Sequence, residues 1–218
     1  MYGPLSRVEL FPILIIFFLT LGPLKAIAPF VELTRGTDPE FRRTLAWRGT
    51  AIATVIVLAV ALLGAFILEN WRVSIAAVVI TGSIILFLQA LHLILQPPTA
   101  PAPVVQPGAE QTPEALAIAP FSLAVPILVT APGVAAIAAF IAIAGGDWAQ
   151  RGLIIAALLV IMALNLITLL NVETLLKHIP PPFLKVLGWV LAVLQAALAV
   201  QYVINGLIRL GALPLPIP

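Results

Sequence analysis

Apolar residues run along this chain in six long stretches, at roughly 8–31, 46–68, 73–95, 117–144, 152–176 and 184–209, separated by polar or Pro-rich segments. A helix of about 20 such residues crosses ~30 Å of hydrocarbon, so the pattern predicts six spans. Two of the six are interrupted. The first carries LGPLKAIAPF at 21–30, with Gly22-Pro23 inside the apolar run, then Lys25 and a second proline, Pro29. The fourth carries ILVTAPGVAA at 127–136, after Pro120 and Pro126. The order broken, unbroken, unbroken therefore occurs twice. Laying Pro132 over Pro23 places Ala131 on Gly22 and Thr130 near Leu21. Three spans is an odd number, so the second copy enters the membrane from the opposite side. The predicted fold is an all-α polytopic membrane protein of six transmembrane helices, arranged as two inverted three-helix repeats with the first and fourth helices broken. Residues 1–95 form the first repeat, 96–116 a Pro-rich linker and 117–218 the second repeat.

Proline inside a helix removes a backbone bond and clashes with an earlier carbonyl, costing ~3 kcal/mol or more. In hydrocarbon the freed groups cannot turn to water, and such breaks persist where protein or an aqueous cavity surrounds them. Proline also suits the first position of a helix. Gly22-Pro23 and Ala131-Pro132-Gly133 can thus each end one half-helix and begin another, aiming free N–H groups and a positive dipole end into the membrane. Paired breaks in corresponding positions of two halves point to a transporter's substrate site.

Composition agrees with the pattern. Of 218 residues, 62% are hydrophobic and 9% charged, and mean hydropathy is +1.17. A water-soluble globule would carry roughly 25% charged residues. The partner implied is membrane lipid. A formal charge of +2 with no basic, aromatic-interleaved stripe argues against nucleic acid. Trp47, Trp71, Trp148 and Trp189 fall near span ends, where indoles favour the headgroup level. The absence of cysteine rules out disulfides, thiolate metal sites and cysteine nucleophiles. Arg7, the run 10–21 and Ala26-Ile27-Ala28 also look like a secretory signal, but the segment is read as a retained span. Arg35, Arg42, Arg43, Arg48, Lys177 and Lys185 fall on one side of six spans, and Arg7, Arg72, Arg151 and Arg209 on the other. That tally of six against four, with Lys25 left out, favours both termini outside.

Polar residues inside the spans are few. Asn165, Thr168 and Asn171 recur every three residues in the fifth span, as a stripe that either bonds a neighbouring helix or lines a solute path. Gln201 and Asn205 form an i, i+4 pair, with Gln195 on a different arc, and read as contacts between helices. Gln89 and His92 lie near the end of the third span, with His92 at the interface. Glu32, Asp38, Glu40 and the arginines of the first loop predict a solvated, headgroup-facing surface. With two histidines, no His-Glu-x-x-His or Gly-x-Ser-x-Gly and no pair of acids within a span, nothing supports an enzyme.

Four stretches in order, GPLK (22–25), DPEFRRTLAWRGTAIA (38–53), VPILVTAPG (125–133) and GWVLAVLQAALAVQYVINGL (188–207), resemble the MarC family, the six-span neutral amino acid transporter family. The resemblance runs over nearly the whole chain. It implies a secondary transporter for small neutral amino acids, coupled to H⁺ or Na⁺ and needing no other cofactor, with the substrate between the two broken spans. The expected substrate-binding residues are Gly22, Pro23, Lys25, Thr130, Ala131, Pro132, Gly133 and Asn165. The departures fall at that site: Gly22 stands where the family has Asn, Lys25 where it has Gly, and Ala131 where it has Gly.

Lys25 would be the third residue of the half-helix that starts at Pro23, where a cation is disfavoured unless an anion neutralises it. Its open roles are to hold a substrate carboxylate, to carry a coupling proton, to block an inherited site, to pair structurally, or to snorkel over ~9 Å to the interface. The alternative to transport is a transport-inactive structural subunit of a larger membrane complex or homo-oligomer. The Pro-rich stretches 96–108 and 212–218 would then dock on a neighbour.

Overall fold

The computed structural model describes residues 10–34, 36–70, 73–95, 113–178 and 181–213. Outside them lie Arg7, Arg35, Trp71, Arg72, the linker up to residue 112 and the terminal prolines from 214. Every regular element among the described residues is a helix: α1 (Leu10–Leu21), α2 (Pro23–Leu33), α3 (Pro39–Asn70), α4 (Ile75–Leu95), α5 (Pro113–Ser122), α6 (Ala131–Ala144), α7 (Trp148–Leu170), α8 (Val172–His178) and α9 (Pro181–Arg209). A wide-turned segment, Leu123–Leu128, joins α5 to α6.

Five segments are long and apolar enough to cross a membrane: Leu10–Leu33, Pro39–Gly64, Ile75–Leu95, Trp148–Leu170 and Val186–Arg209. The bent pair Ile118–Leu128 and Ala131–Ala144 makes a sixth, turning by 61° at its break. Both breaks follow from proline chemistry. A residue before proline is pushed out of the helical region, and Gly22, before Pro23, is extended at ψ 167°. Val125, before Pro126, is likewise extended at φ −132°, ψ 125°. The chain then stays irregular through Val129 and resumes as a helix at Ala131. Pro29 lies inside α2 without ending it.

Helix ends elsewhere are capped by short polar side chains. Ser74 Oγ accepts from Ala77 N at 3.2 Å before α4, and Asp147 accepts from Ala149 N at 2.9 Å before α7. The fifth span differs from its predicted extent, 152–176. It runs from Trp148 to Leu170, and Asn171 separates it from the short α8.

The broken first span lies at the centre: 56% of its apolar 18-residue stretch is buried, against 17% in the last span. α1 packs on α6 and α7, α3 on α5, α6 and α7, and α4 on α6 and α9. Ile13, Phe17, Leu21, Phe30, Leu123, Ile137, Leu158 and Met162 form the interior, with the Phe17 and Phe140 rings edge-to-face at 5.5 Å. Small residues set the crossings. A Cβ on Gly82 would meet Ala135 O at 3.2 Å, and one on Gly206 would overlap Ile80. Outward faces carry Val55, Leu62, Phe66, Ile167, Val193 and Leu194, as in a protein solvated by lipid.

Candidate functional site

At the centre of the bundle, the end of α1 meets the start of α6. The last carbonyls of α1 have no partner within their own helix, and residues far along the chain supply one. Thr130 Oγ1 donates to Thr20 O at 2.9 Å. Asn165 Nδ2 donates to Leu21 O at 2.7 Å and to Ile161 O at 3.0 Å. Thr130 also accepts from Gly133 N at 3.2 Å, capping α6. One hydroxyl therefore closes the start of one half-helix and the end of another.

Gly22 caps α2 without a side chain, and Pro23 fills the first helical position. Gly133, buried beside Pro132, lets the Leu21 side chain lie against the second break; any Cβ there would overlap Leu21. Two groups at the site stay unpartnered. Lys25 Nζ is buried without a hydrogen bond, and so is Asn165 Oδ1, on a residue with 0% exposure. Lys25 therefore does not snorkel. Its nitrogen is enclosed, and no ion pair forms with it among the described residues.

The structure thus brings Thr130, Gly133 and Asn165 onto Thr20 and Leu21, beside Gly22, Pro23 and Lys25. Ala131 points elsewhere. It is exposed and borders an apolar cleft of about 350 Å³ between α4 and α6, with Ala77, Gly82, Val134, Ala135 and Ala138. The expected stripe Asn165, Thr168, Asn171 separates in space. Three residues turn a helix by 300°, so each step drifts by 60°. Asn165 is buried at the break, whereas Asn171 is exposed and its Nδ2 donates back to Ile167 O at 2.7 Å. Gln201 and Asn205 pair within α9 at 3.3 Å. Gln195 instead bonds α9 to α4, through Leu86 O at 3.1 Å and Gln89 Oε1 at 3.2 Å. Thr20 and Leu21 escaped sequence reasoning because they act through main-chain carbonyls, which no residue type marks.

On the polar face near the end of α2, Glu32, Asp38, Glu40, Arg43 and Arg48 are exposed as expected. Arg42 instead forms an ion pair with Glu173 of α8 and donates to Thr37 O at 3.3 Å.

The family model described as MarC family integral membrane protein matches residues 8–210. The chain belongs to the MarC family. Among its relatives is a UPF0056 membrane protein of Archaeoglobus fulgidus, 31% identical over 199 residues that cover 87% of this chain and 88% of the relative. A UPF0056 membrane protein of Methanocaldococcus jannaschii is 29% identical over 191 residues, covering 87% and 91%. No solved structure gives a significant match. Two of the stretches that carried the resemblance have a structural basis in this MarC protein: Thr130 caps α6, whose first turn is Ala-Pro-Gly, and Gly206 is a close contact of α9 on α4.

Proposed function

We propose that this MarC protein is a secondary transporter, moving a small neutral amino acid or similar small solute by alternating access. The observation that carries the reading is the pair of broken spans meeting in the hydrophobic core, with Lys25 Nζ and Asn165 Oδ1 left unpartnered there. A buried polar atom without a partner costs about 1–3 kcal/mol. Such a cost is retained where a ligand completes the site. Gly22, Pro23, Lys25, Thr130, Pro132, Gly133 and Asn165 would frame the solute, with Ala131 at the margin. Rocking of residues 1–95 against 117–218 as inverted repeats would alternate access. The close packing of Leu21 on Gly133 would then belong to a closed state. H⁺ or Na⁺ would be the coupling ion, with no catalytic step. The membrane would be an archaeal or bacterial cytoplasmic membrane, with both termini outside.

The same closed packing supports the second reading, a transport-inactive subunit of a larger membrane assembly or homo-oligomer. Uptake of labelled glycine and alanine into proteoliposomes, with wild type and Lys25→Gly compared under H⁺ and Na⁺ gradients, separates the two. Wild-type uptake that Lys25→Gly abolishes makes Lys25 part of the transport site. Activity confined to Lys25→Gly makes it a plug. Silence from both folded proteins favours the subunit.

A further inference from the structure

α9 is the outermost span. It packs along α4 and barely touches α1 and α2, so one side of it has no neighbour in the fold. Ala192, Gln195, Ala199 and Gly206 are buried on the α4 side. Val193, Ala197, Val200 and Ile204 are exposed on the other. Gln201 follows buried Ala199 by two residues, a turn of about 200°, which sets it on the outward side. Asn205 lies one turn further on. Both are partly exposed. Among the described residues each bonds only the other, Gln201 Nε2 donating to Asn205 Oδ1 at 3.3 Å.

That single bond leaves Gln201 Oε1 and both hydrogens of Asn205 Nδ2 unused. Gln201 stands eight residues before Arg209, where the span ends, or ~12 Å inside it at helical rise. Hydrocarbon holds no water at that depth to satisfy a carboxamide, and carboxamides so placed draw helices together. Whatever covers this face has to offer both an acceptor and a donor within an apolar surround. A lipid tail offers neither. A second α9 offers both. Across a two-fold axis normal to the membrane, Asn205 Nδ2 of each copy meets Gln201 Oε1 of the other. The set is self-complementary, as a two-fold contact requires. Ala197, one turn before Gln201, is small enough to let two helix backbones approach. We infer that the outward face of α9 is a homodimer interface, centred on Ala197, Gln201 and Asn205. It stands whether or not the protein transports a solute.

The chain contains no cysteine, so Ala197→Cys introduces a single thiol. Oxidation in native membranes is expected to join most of this variant into disulfide-linked dimers, because the bond forms only where Cα atoms come within ~7 Å. Ile167→Cys, exposed on α7, is the control and is expected to cross-link about tenfold less. Native mass spectrometry of the full-length protein, over a dilution series in mild detergent, reads the affinity. Replacing Gln201 and Asn205 together by leucine, which lipid solvates well, is expected to weaken association about tenfold. Ala197→Trp keeps the amides but bars close approach. It is expected to weaken association as much, and serves if the double variant does not fold. Equal cross-linking at positions 167 and 197 overturns the inference, and so does wild type that is monomeric at every concentration. Unchanged affinity in the leucine variant overturns it as well, since the dimer would then form elsewhere. Cross-linking of Ala197→Cys to a different protein, with no dimer of this chain, assigns the face to another partner and overturns it too.

Discussion

Thr130 serves two backbone groups with one hydroxyl: it donates to Thr20 O and accepts from Gly133 N. Replacing it with valine, which matches it in shape, removes both bonds and leaves a carbonyl bare in the interior. Thr130→Val is expected to destabilise the folded protein by about 1–3 kcal/mol, and Thr130→Ser by far less, in unfolding titrations in mild detergent. Half of this role was legible in the sequence. A threonine before Ala-Pro-Gly has the chemistry of an N-cap, and the prolines announced where the helices would stop. The other half was not, because an acceptor on the main chain leaves no trace in residue identity. Asn165 shows the same limit from the opposite side. It looked equivalent to Thr168 and Asn171, and only the 60° drift per step separates the buried member from the exposed one.

Whole elements were easier to read than their ends. The six apolar runs correspond to the spans because each is long enough to cross hydrocarbon, and two of them, 73–95 and 117–144, carry no charge at all. The departures have local causes. α3 starts at Pro39, well before the apolar run, since DPEFRR is helix-compatible once Pro39 opens it. The fifth span stops at Leu170 because Asn171 turns its side chain back onto Ile167 O. The irregular stretch from Leu123 was only partly foreseen: Pro126 was visible, but its effect on Val125 depends on local backbone geometry. Between elements, α9 touches little besides α4, and Gly206 is where Ile80 enters. Gly206→Leu is expected to overpack that contact and cost about 1–3 kcal/mol. Detergent unfolding would read the loss, and accelerated proteolysis in α9 would show that this helix detaches first. Gly188→Leu, with open space around Gly188, should leave both measurements near wild type.

At the scale of the molecule, the centre is held by bonds between its two sequence halves. Thr130 lies 110 residues from Thr20, and Asn165 lies 144 from Leu21. Residues 1–104 expressed alone are therefore expected to be degraded, and residues 105–218 likewise. Co-expression of the two should restore both, as followed by membrane-fraction blots and co-purification. Stable accumulation of either piece alone would show that the cross-caps are dispensable. The same bonds set an order in time. Thr20 and Leu21 leave the ribosome before their partners, which follow 110 and 144 residues later. At ~5–20 residues per second, the interval is roughly 5–30 s. During it the first span must wait in the translocation machinery or in lipid with two bare carbonyls, and synthesis of the fifth span ends that wait.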